Sequence, residues 1–479
     1  MVWKSIGAMH ITKFSSSTFC LAFLLHVALS AQDQETLTLK QSLEIARQNY
    51  PAIKIKMAER EAAAHEVKAA QINYVPNFVV QGQILDGTSN QVRGAFFPNE
   101  GMAIPVSGGI KVNGYTETAV WTSYATGFMN WKLFNFGKFK SQVESAKAGE
   151  LAAQADYDNE IFQQQIKVGD AYLLSLMANE MVKSQNTNLA RVKALRDVTS
   201  AYTKSGLRPG VDSSLVKAEY SKAMLQLLEA QRIASEQLVY LKEQMGYSKN
   251  TVIKLDTTAY SSNQPLPLDM GDEYEKNPRL RYFKSIVDAN ESRIKAIRRR
   301  EYPSISVIGG AWTRGSGIQD KTAPNGDFIY DKSFSSGVAF RPYLDWIFGV
   351  STIWNITTLF KTGQEAKAQR QVTTMAQERY NEEVLRVESE VERARLGYAA
   401  AVEAARQAPI QLAAAQNAYE QAQARYNAGF STILELTQTY ALLNRAEVDA
   451  SIAKGNLWRA VVRYAAATGD MDLFTRNLN

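Results

Sequence analysis

VLRVESEVERARLGYAAAVEAARQAPIQLAAAQNAYEQAQARY, residues 384–426, carries an apolar or small residue at every third and then fourth position. The positions are Val384, Val387, Val391, Ala394, Tyr398, Ala401, Ala405, Ala408, Leu412, Ala415, Tyr419, Ala422 and Tyr426. Six heptads of unbroken 3-4 spacing predict a helix that packs along a seam. Alanine dominates that seam, so the partner helix lies close. Ala428-Gly429-Phe430-Ser431-Thr432 ends the run. A second 3-4 run returns at once through Thr439, Leu443, Ala446, Ala450, Ala453, Leu457, Ala460 and Tyr464. A long helix, a Gly turn and a returning helix make an antiparallel hairpin.

The hairpin occurs twice. Pro51 to Pro76 spans 25 residues, as does Pro278 to Pro303; Trp131 to Gly206 spans 75, as does Trp354 to Gly429. Gly206 to Asp212 and Gly429 to Glu435 are both six. The offset is 227 before the strand-like segments and 223 after them. The heptad frame repeats as well, at Ile161, Val168, Ala171, Ala178, Val182, Leu189 and Val192. Three independent spacings that agree establish an internal duplication.

Each half reads in one order. In the first, a short helix over 40–49 ends at Pro51, and a charged helix over 52–75 ends before Pro76, because the residue before proline disfavours the helical region. Strands follow at Asn77–Leu85 and Val120–Phe134, separated by an exposed Gly/Asn/Pro/Ser loop. A helix then spans 138–204, turns at Gly206, and returns over 212–245. The second half gives a helix over 279–302, a strand Ser304–Trp312, a Gly/Asp/Asn loop near 314–333, and a strand up to about Ile356. The division is 1–30 as a signal peptide, 31–247 as the first repeat, 248–277 as a connector, and 278–479 as the second repeat with its tail. Helix 138–204, at ~1.5 Å per residue, is about 100 Å long. Helices 52–75 and 212–245 laid end to end nearly match it. Pro409 is expected to kink the second long helix without disturbing its frame.

The totals narrow the function. With 479 residues, 54 basic against 48 acidic and a net charge of +6, the balance is mixed and gives no nucleic-acid signal. Lys4 and Lys13, the apolar Phe19–Val27 and the small residues before Ala31 read as a secretory signal. Its removal takes Cys20, His10 and His26, leaving His65 as the last histidine and no cysteine. Disulfides, thiolate zinc sites and cysteine nucleophiles are thereby excluded. Twelve methionines form no soft-metal cluster. No cofactor, metal or catalytic constellation is expected, and the chain reads as no enzyme.

Beyond residue 30 there is no run of 18 apolar residues, so a bilayer crossing would need β-strands closed into a barrel. In the last strand Trp346, Phe348, Val350, Thr352 and Trp354 point one way, and Ile347, Gly349, Ser351, Ile353 and Asn355 the other. Tyr124, Thr126 and Phe128 alternate more weakly with Ala125, Gly127 and Met129. Alternation of this kind suits a membrane barrel wall, and by itself it suits a soluble cap as well. Four strands cannot close a pore, so other copies would have to supply the rest. Arg298-Arg299-Arg300, just before Pro303 and the strands, fits either anionic lipid headgroups or a solvated helix end.

Asn49-Tyr50-Pro51, Lys276-Asn277-Pro278, Trp131–Lys138, Tyr202–Leu207 with Asp212, and Arg425–Phe430 with Glu435 together resemble the TolC-type outer-membrane efflux proteins. The likeness covers the chain beyond the signal. It implies a mostly α fold with a small β part: a homotrimer whose helical hairpins form an α-barrel across the periplasm, topped by a barrel of four strands per chain. The implied function is a passive duct for drugs or other exported molecules. It would be driven by an inner-membrane transporter through a periplasmic adaptor (membrane fusion) protein, and set in outer-membrane lipid. A type I protein-secretion duct would share every one of these features. A coiled-coil tether of the envelope would share the heptads but would not need the paired aromatic strands. By the same resemblance Gly206, Leu207, Gly429 and Phe430 are adaptor-docking tips. Asp212, Glu435, Arg208 and Tyr426 belong to the aperture. Relatives often carry a second carboxylate where this chain has Gln438, and an Arg where it has Ser431. The Arg stands at 208 instead, and its expected partner is Glu435 on the neighbouring hairpin.

Overall fold

The computed structural model describes residues 36–88, 117–248, 250–258, 260, 274–339 and 344–478. The expected signal peptide, Cys20, most of the loop before Val120 and part of the connector lie outside them. The elements run α1 Leu39–Asn49, α2 Pro51–Ile72, β1 Asn77–Thr88, β2 Ala119–Phe134, α3 Lys138–Lys204 and α4 Gly210–Gln244. After the connector come α5 Pro278–Arg298 with a 3-10 turn at Arg299–Glu301, β3 Ser304–Ser316, β4 Ile318–Thr322, β5 Phe328–Tyr330 and α6 Phe334–Val338. The chain closes with β6 Asp345–Ile353, α7 Thr357–Asn427, α8 Ile433–Thr468 and α9 Asp472–Leu478.

Local chemistry explains most boundaries. Thr38 and Gln41 form a capping box on α1. Pro51 and Pro278 do more than end what precedes them: each is the first residue of the next helix, where a missing N–H costs nothing. Asn277 caps α5, its Oδ1 accepting from the Arg279 N–H at 3.0 Å. The duplication reaches individual bonds. Trp131 Nε1 donates to the Tyr74 carbonyl at 3.0 Å, and Trp354 Nε1 to the Glu301 carbonyl at 3.0 Å. Each carbonyl lies two residues before the proline that opens the next strand. α7 passes through Pro409 without interruption.

The chain divides into two compact units that cut across the repeats: 1–54, 161–274 and 388–479 form one, and 55–160 with 275–387 the other. The second unit holds an antiparallel sheet of order β1-β2-β3-β6. Its register sets large residues at the edges and small ones within on one face: Phe78, Met129, Gly309, Phe348 in one row, where only Gly309 is small, and Val80, Gly127, Ala311, Trp346 in the next. The large edge residues lean over the glycines; Phe78 Cζ would sit 3.4 Å from a Cβ at Gly127. This face is apolar and open, with Phe78, Val80, Trp346, Phe348 and Val350 all at least 67 % exposed. The opposite face carries Gln81 and Gln83, half-buried, and Thr122, Tyr124 and Thr126, buried.

The expected exposed loop near 314–333 is folded instead. β3 runs on to Ser316, β4 pairs with β5, and the segment returns onto β2. Gly317 N–H donates to the Trp121 carbonyl at 2.9 Å, and Ser123 Oγ to the Gly337 carbonyl at 2.8 Å. A Cβ at Gly337 would overlap the Trp121 backbone. These glycines permit close approach of backbones, which composition alone does not separate from loop character.

The heptad seam is observed, from Val391 on within the first unit: all thirteen positions from Val384 to Tyr426 are buried or half-buried. On α8 the buried frame starts at Ile433, Leu436 and Tyr440; Thr439 is only half-buried. One core gathers Leu39, Leu43, Tyr172, Leu176, Leu241 and Trp458 beneath a bridge between Leu37 and Leu255. Tyr172 Oη lies 3.0 Å from the carbonyls of both Leu37 and Asp256, tying the two segments of that bridge to α3. Arg459 and Asp170 form a two-bonded pair at 2.7 and 3.1 Å.

Candidate functional site

Both Gly turns fall in this first unit, and they are the same structure twice. Gly206 and Gly429 have φ of 76° and 83°. Leu207 N–H reaches the Tyr202 carbonyl at 2.9 Å and Gly206 N–H the Thr203 carbonyl at 3.2 Å. Phe430 bonds Arg425 at 2.8 Å and Gly429 bonds Tyr426 at 3.1 Å. These are paired Schellman closures, which satisfy the last helix carbonyls. The residue after the glycine usually folds back onto its helix; here Leu207 is 70 % exposed and Phe430 79 %. Val211 and Leu434, one turn on, are exposed too. The turns thus present apolar side chains to solvent. The resemblance named the glycines and their neighbours but not Val211 or Leu434, whose signal is an apolar residue in the first turn of each returning helix.

Asp212 and Glu435 occupy the same place, the third residue of α4 and α8. A carboxylate there suits the positive end of a helix dipole. Their settings differ. Asp212 is buried at 8 % exposure and follows Pro209, which offers no side-chain cap. At the other turn Thr432 caps α8, its Oγ1 accepting from the Glu435 N–H at 3.3 Å. Ser431 Oγ donates to Glu435 Oε2 at 2.8 Å, and Arg425 lies 3.3 Å from Oε1.

The expected Arg208–Glu435 pair does not form within the chain. Glu435 is taken by Arg425 of its own hairpin. Arg208 instead lies flat on Tyr426, 4.6 Å from the ring centroid, and its Nη2 donates to the Tyr426 carbonyl at 3.0 Å. The first turn is thereby clamped to the end of α7 by a stacked cation that adds a second donor to a helix carbonyl already bonded by the Gly429 N–H. Tyr426, expected near the aperture, is 1 % exposed and belongs to the core beneath.

That core contains a polar layer that the sequence reading did not identify. Tyr440 Oη donates to Asn188 Oδ1, with Asn188 fully buried, and Tyr419 meets the Tyr440 ring edge-on at 6.4 Å. Arg191 and Glu447 pair beside it at 2.5 Å. Burial drives the Tyr440 phenol well above its ordinary range, against the opposing effects of Arg191 and the Asn188 bond.

Comparisons with known proteins follow this geometry. Residues 42–247 and 271–470 match the family described as outer membrane efflux protein, one match for each half. No curated protein matches the chain by sequence. Among solved structures, the outer-membrane channel OprN is similar at a TM-score of 0.69 and 19% identity, over 90% of this chain and 89% of that one. CusC is similar at 0.72 and 14%, over 90% and 92%. The open-state outer membrane channel MtrE of Neisseria gonorrhoeae gives 0.64 and 17%, over 90% and 89%. At these identities the likeness is one of fold.

Proposed function

Since the chain belongs to the outer membrane efflux protein family, we propose that it is the outer-membrane duct of a tripartite export assembly. The observation that carries the reading is the sheet. Its open face is apolar, while Gln81, Gln83, Thr122, Thr126 and Ser351 sit among Phe128, Ile308 and Ile347 on the other; an exposed apolar face is the pattern of a lipid-facing wall. Its edge strands β1 and β6 each pair on one side only among the described residues. An open edge cannot face lipid, because unpaired backbone groups there have no water to bond. β1 of one copy therefore pairs with β6 of the next, and three copies close one barrel.

The two Gly turns are then the docking tips for a periplasmic adaptor, which couples the duct to an inner-membrane transporter. Leu207 and Phe430, apolar and exposed at equivalent places, are its contacts. Asp212 and Glu435 mark the carboxylate ring of the aperture. The chain performs no chemistry of its own; the transporter chooses the cargo and supplies the energy. Deleting the gene in its host should raise susceptibility to exported compounds, and the intact chain should restore resistance. Leu207→Asp with Phe430→Asp should abolish that rescue while the protein still reaches the outer membrane. Full rescue by this variant would remove the tips from the docking role.

A further inference from the structure

The second unit has a cavity of about 730 Å³ where the strands meet the helices. Six cations line it, from three helices: Lys140 of α3; Lys295 and Arg298 of α5; Arg299 of the 3-10 turn; and Lys367 and Arg370 of α7. Two carboxylates, Glu144 and Glu301, oppose them. Glu144 is engaged with Lys140 at 3.9 Å, and Glu301 accepts from Thr362 Oγ1 at 3.1 Å. Lys295, Arg298, Arg299, Lys367 and Arg370 form no ion pair among the described residues; Arg299 lies over the Tyr302 ring at 5.5 Å.

Helix ends do not explain the cluster. A C-terminus favours cations, which accounts for α5. α3 points its N-terminus here, where carboxylates are preferred, yet it has no acidic residue in its first turn; α7 contributes residues only from Gly363 on, beyond its first turn, so no helix end accounts for its cations. Six cations thus face two carboxylates, beside the positive end of α3.

The cavity adjoins the apolar face of the sheet. Tyr302, in its lining, stacks on Phe136 at 5.9 Å, and Phe136 meets Phe134 at 4.7 Å. Phe134 pairs with Ile305, on the face that also carries Val307 and the exposed Val350. Trp131 and Trp354 complete an exposed aromatic band at this level, as at a membrane–water interface.

We propose that this basin binds the phosphate headgroup of an anionic glycerophospholipid in the membrane leaflet nearest the helices, its acyl chains lying along the apolar face of the sheet. Arginines and lysines from three helices supply charge-assisted bonds to the phosphodiester oxygens, and the volume suits a small headgroup. The inference rests on the membrane placement proposed above.

The test is native mass spectrometry of the full protein in detergent, offered phosphatidylglycerol or phosphatidylcholine of the same chains. Phosphatidylglycerol should be retained preferentially. The variant Lys295→Gln/Arg298→Gln/Arg370→Gln should lose that preference by about a hundred-fold, the order expected for three cations at a lipid surface. Lys140→Gln/Lys367→Gln, on α3 and α7, should weaken it in the same direction. Lys183→Gln/Lys222→Gln/Arg232→Gln, an equal charge loss in the other unit, should leave it unchanged. Equal retention of the two lipids, or a preference that survives the basin variants, overturns the site. Competition by millimolar inorganic phosphate overturns the lipid source in favour of a free anion. If neither lipid is retained by the unsubstituted protein, the membrane placement itself fails.

Discussion

Gly206 and Gly429 hold a left-handed conformation with open space where a Cβ would stand. Alanine at either should cost only the backbone strain, about 1–2 kcal/mol. Gly246 has the same conformation, but a Cβ there would meet the Asn49 carbonyl at 3.0 Å. Gly246→Ala should therefore lower the melting temperature more than Gly206→Ala; the reverse order would refute the packing argument. Arg208→Ala uncovers the Tyr426 ring and removes one of the two donors to its carbonyl. The resting conductance of the reconstituted channel should rise, and unchanged conductance would detach the clamp from closure. Tyr440→Phe strands the buried Asn188 carbonyl at a cost of about 1–3 kcal/mol. Adding Asn188→Leu should recover much of that loss in a denaturation cycle. Additive losses would mean that the two side chains do not act as a pair.

Among elements, the helical frame was the most legible. Periodicity reports burial directly, and the positions spaced from Val384 to Tyr426 are the ones the hairpin covers. The Gly turns and the duplication were legible because a left-handed turn tolerates few residues and a repeat is countable. What was not legible came from long-range geometry. Nothing near residue 425 in the sequence says that Arg425 would reach Glu435 before Arg208 did. β1 reads as a short strand, and only its register against β2 reveals the rows of large residues over glycines. The basin draws cations from residues 140 to 370, so only Arg298 and Arg299, part of the arginine run before Pro303, stood out. The sheet's two faces make opposite predictions. Phe348→Arg, on the open face, should cost about 2–4 kcal/mol if it lies near the bilayer midplane and reduce assembly in the membrane. Ser351→Arg, on the other face, should assemble normally. Equal yields of the two would mean that the open face does not meet lipid.

At the scale of the whole molecule, stability should fall in alkali. Tyr172, Tyr260 and Tyr440 are all raised, chiefly by burial, Tyr260 to about 12 with Glu180 adding to it. An unfolded tyrosine ionises near 10. The folded chain keeps these phenols protonated while the unfolded chain loses its protons, so the contribution is full below pH ~10 and declines as pH climbs toward about 12. Tyr260→Phe should make the melting temperature less sensitive to pH in that window. A flat profile in the unsubstituted protein would contradict the burial of these groups.

Assembly is the claim on which the duct depends. Three copies must pair β6 with β1 around a common axis, since one sheet of four strands has two open edges. Electron-microscope images of the mature chain, purified in detergent from the outer-membrane fraction, test this most directly. The account predicts hollow cylinders with threefold symmetry and a closed barrel at one end. Solid rods, dimers, or protein recovered only from the soluble periplasmic fraction would contradict it and leave a coiled-coil tether in its place.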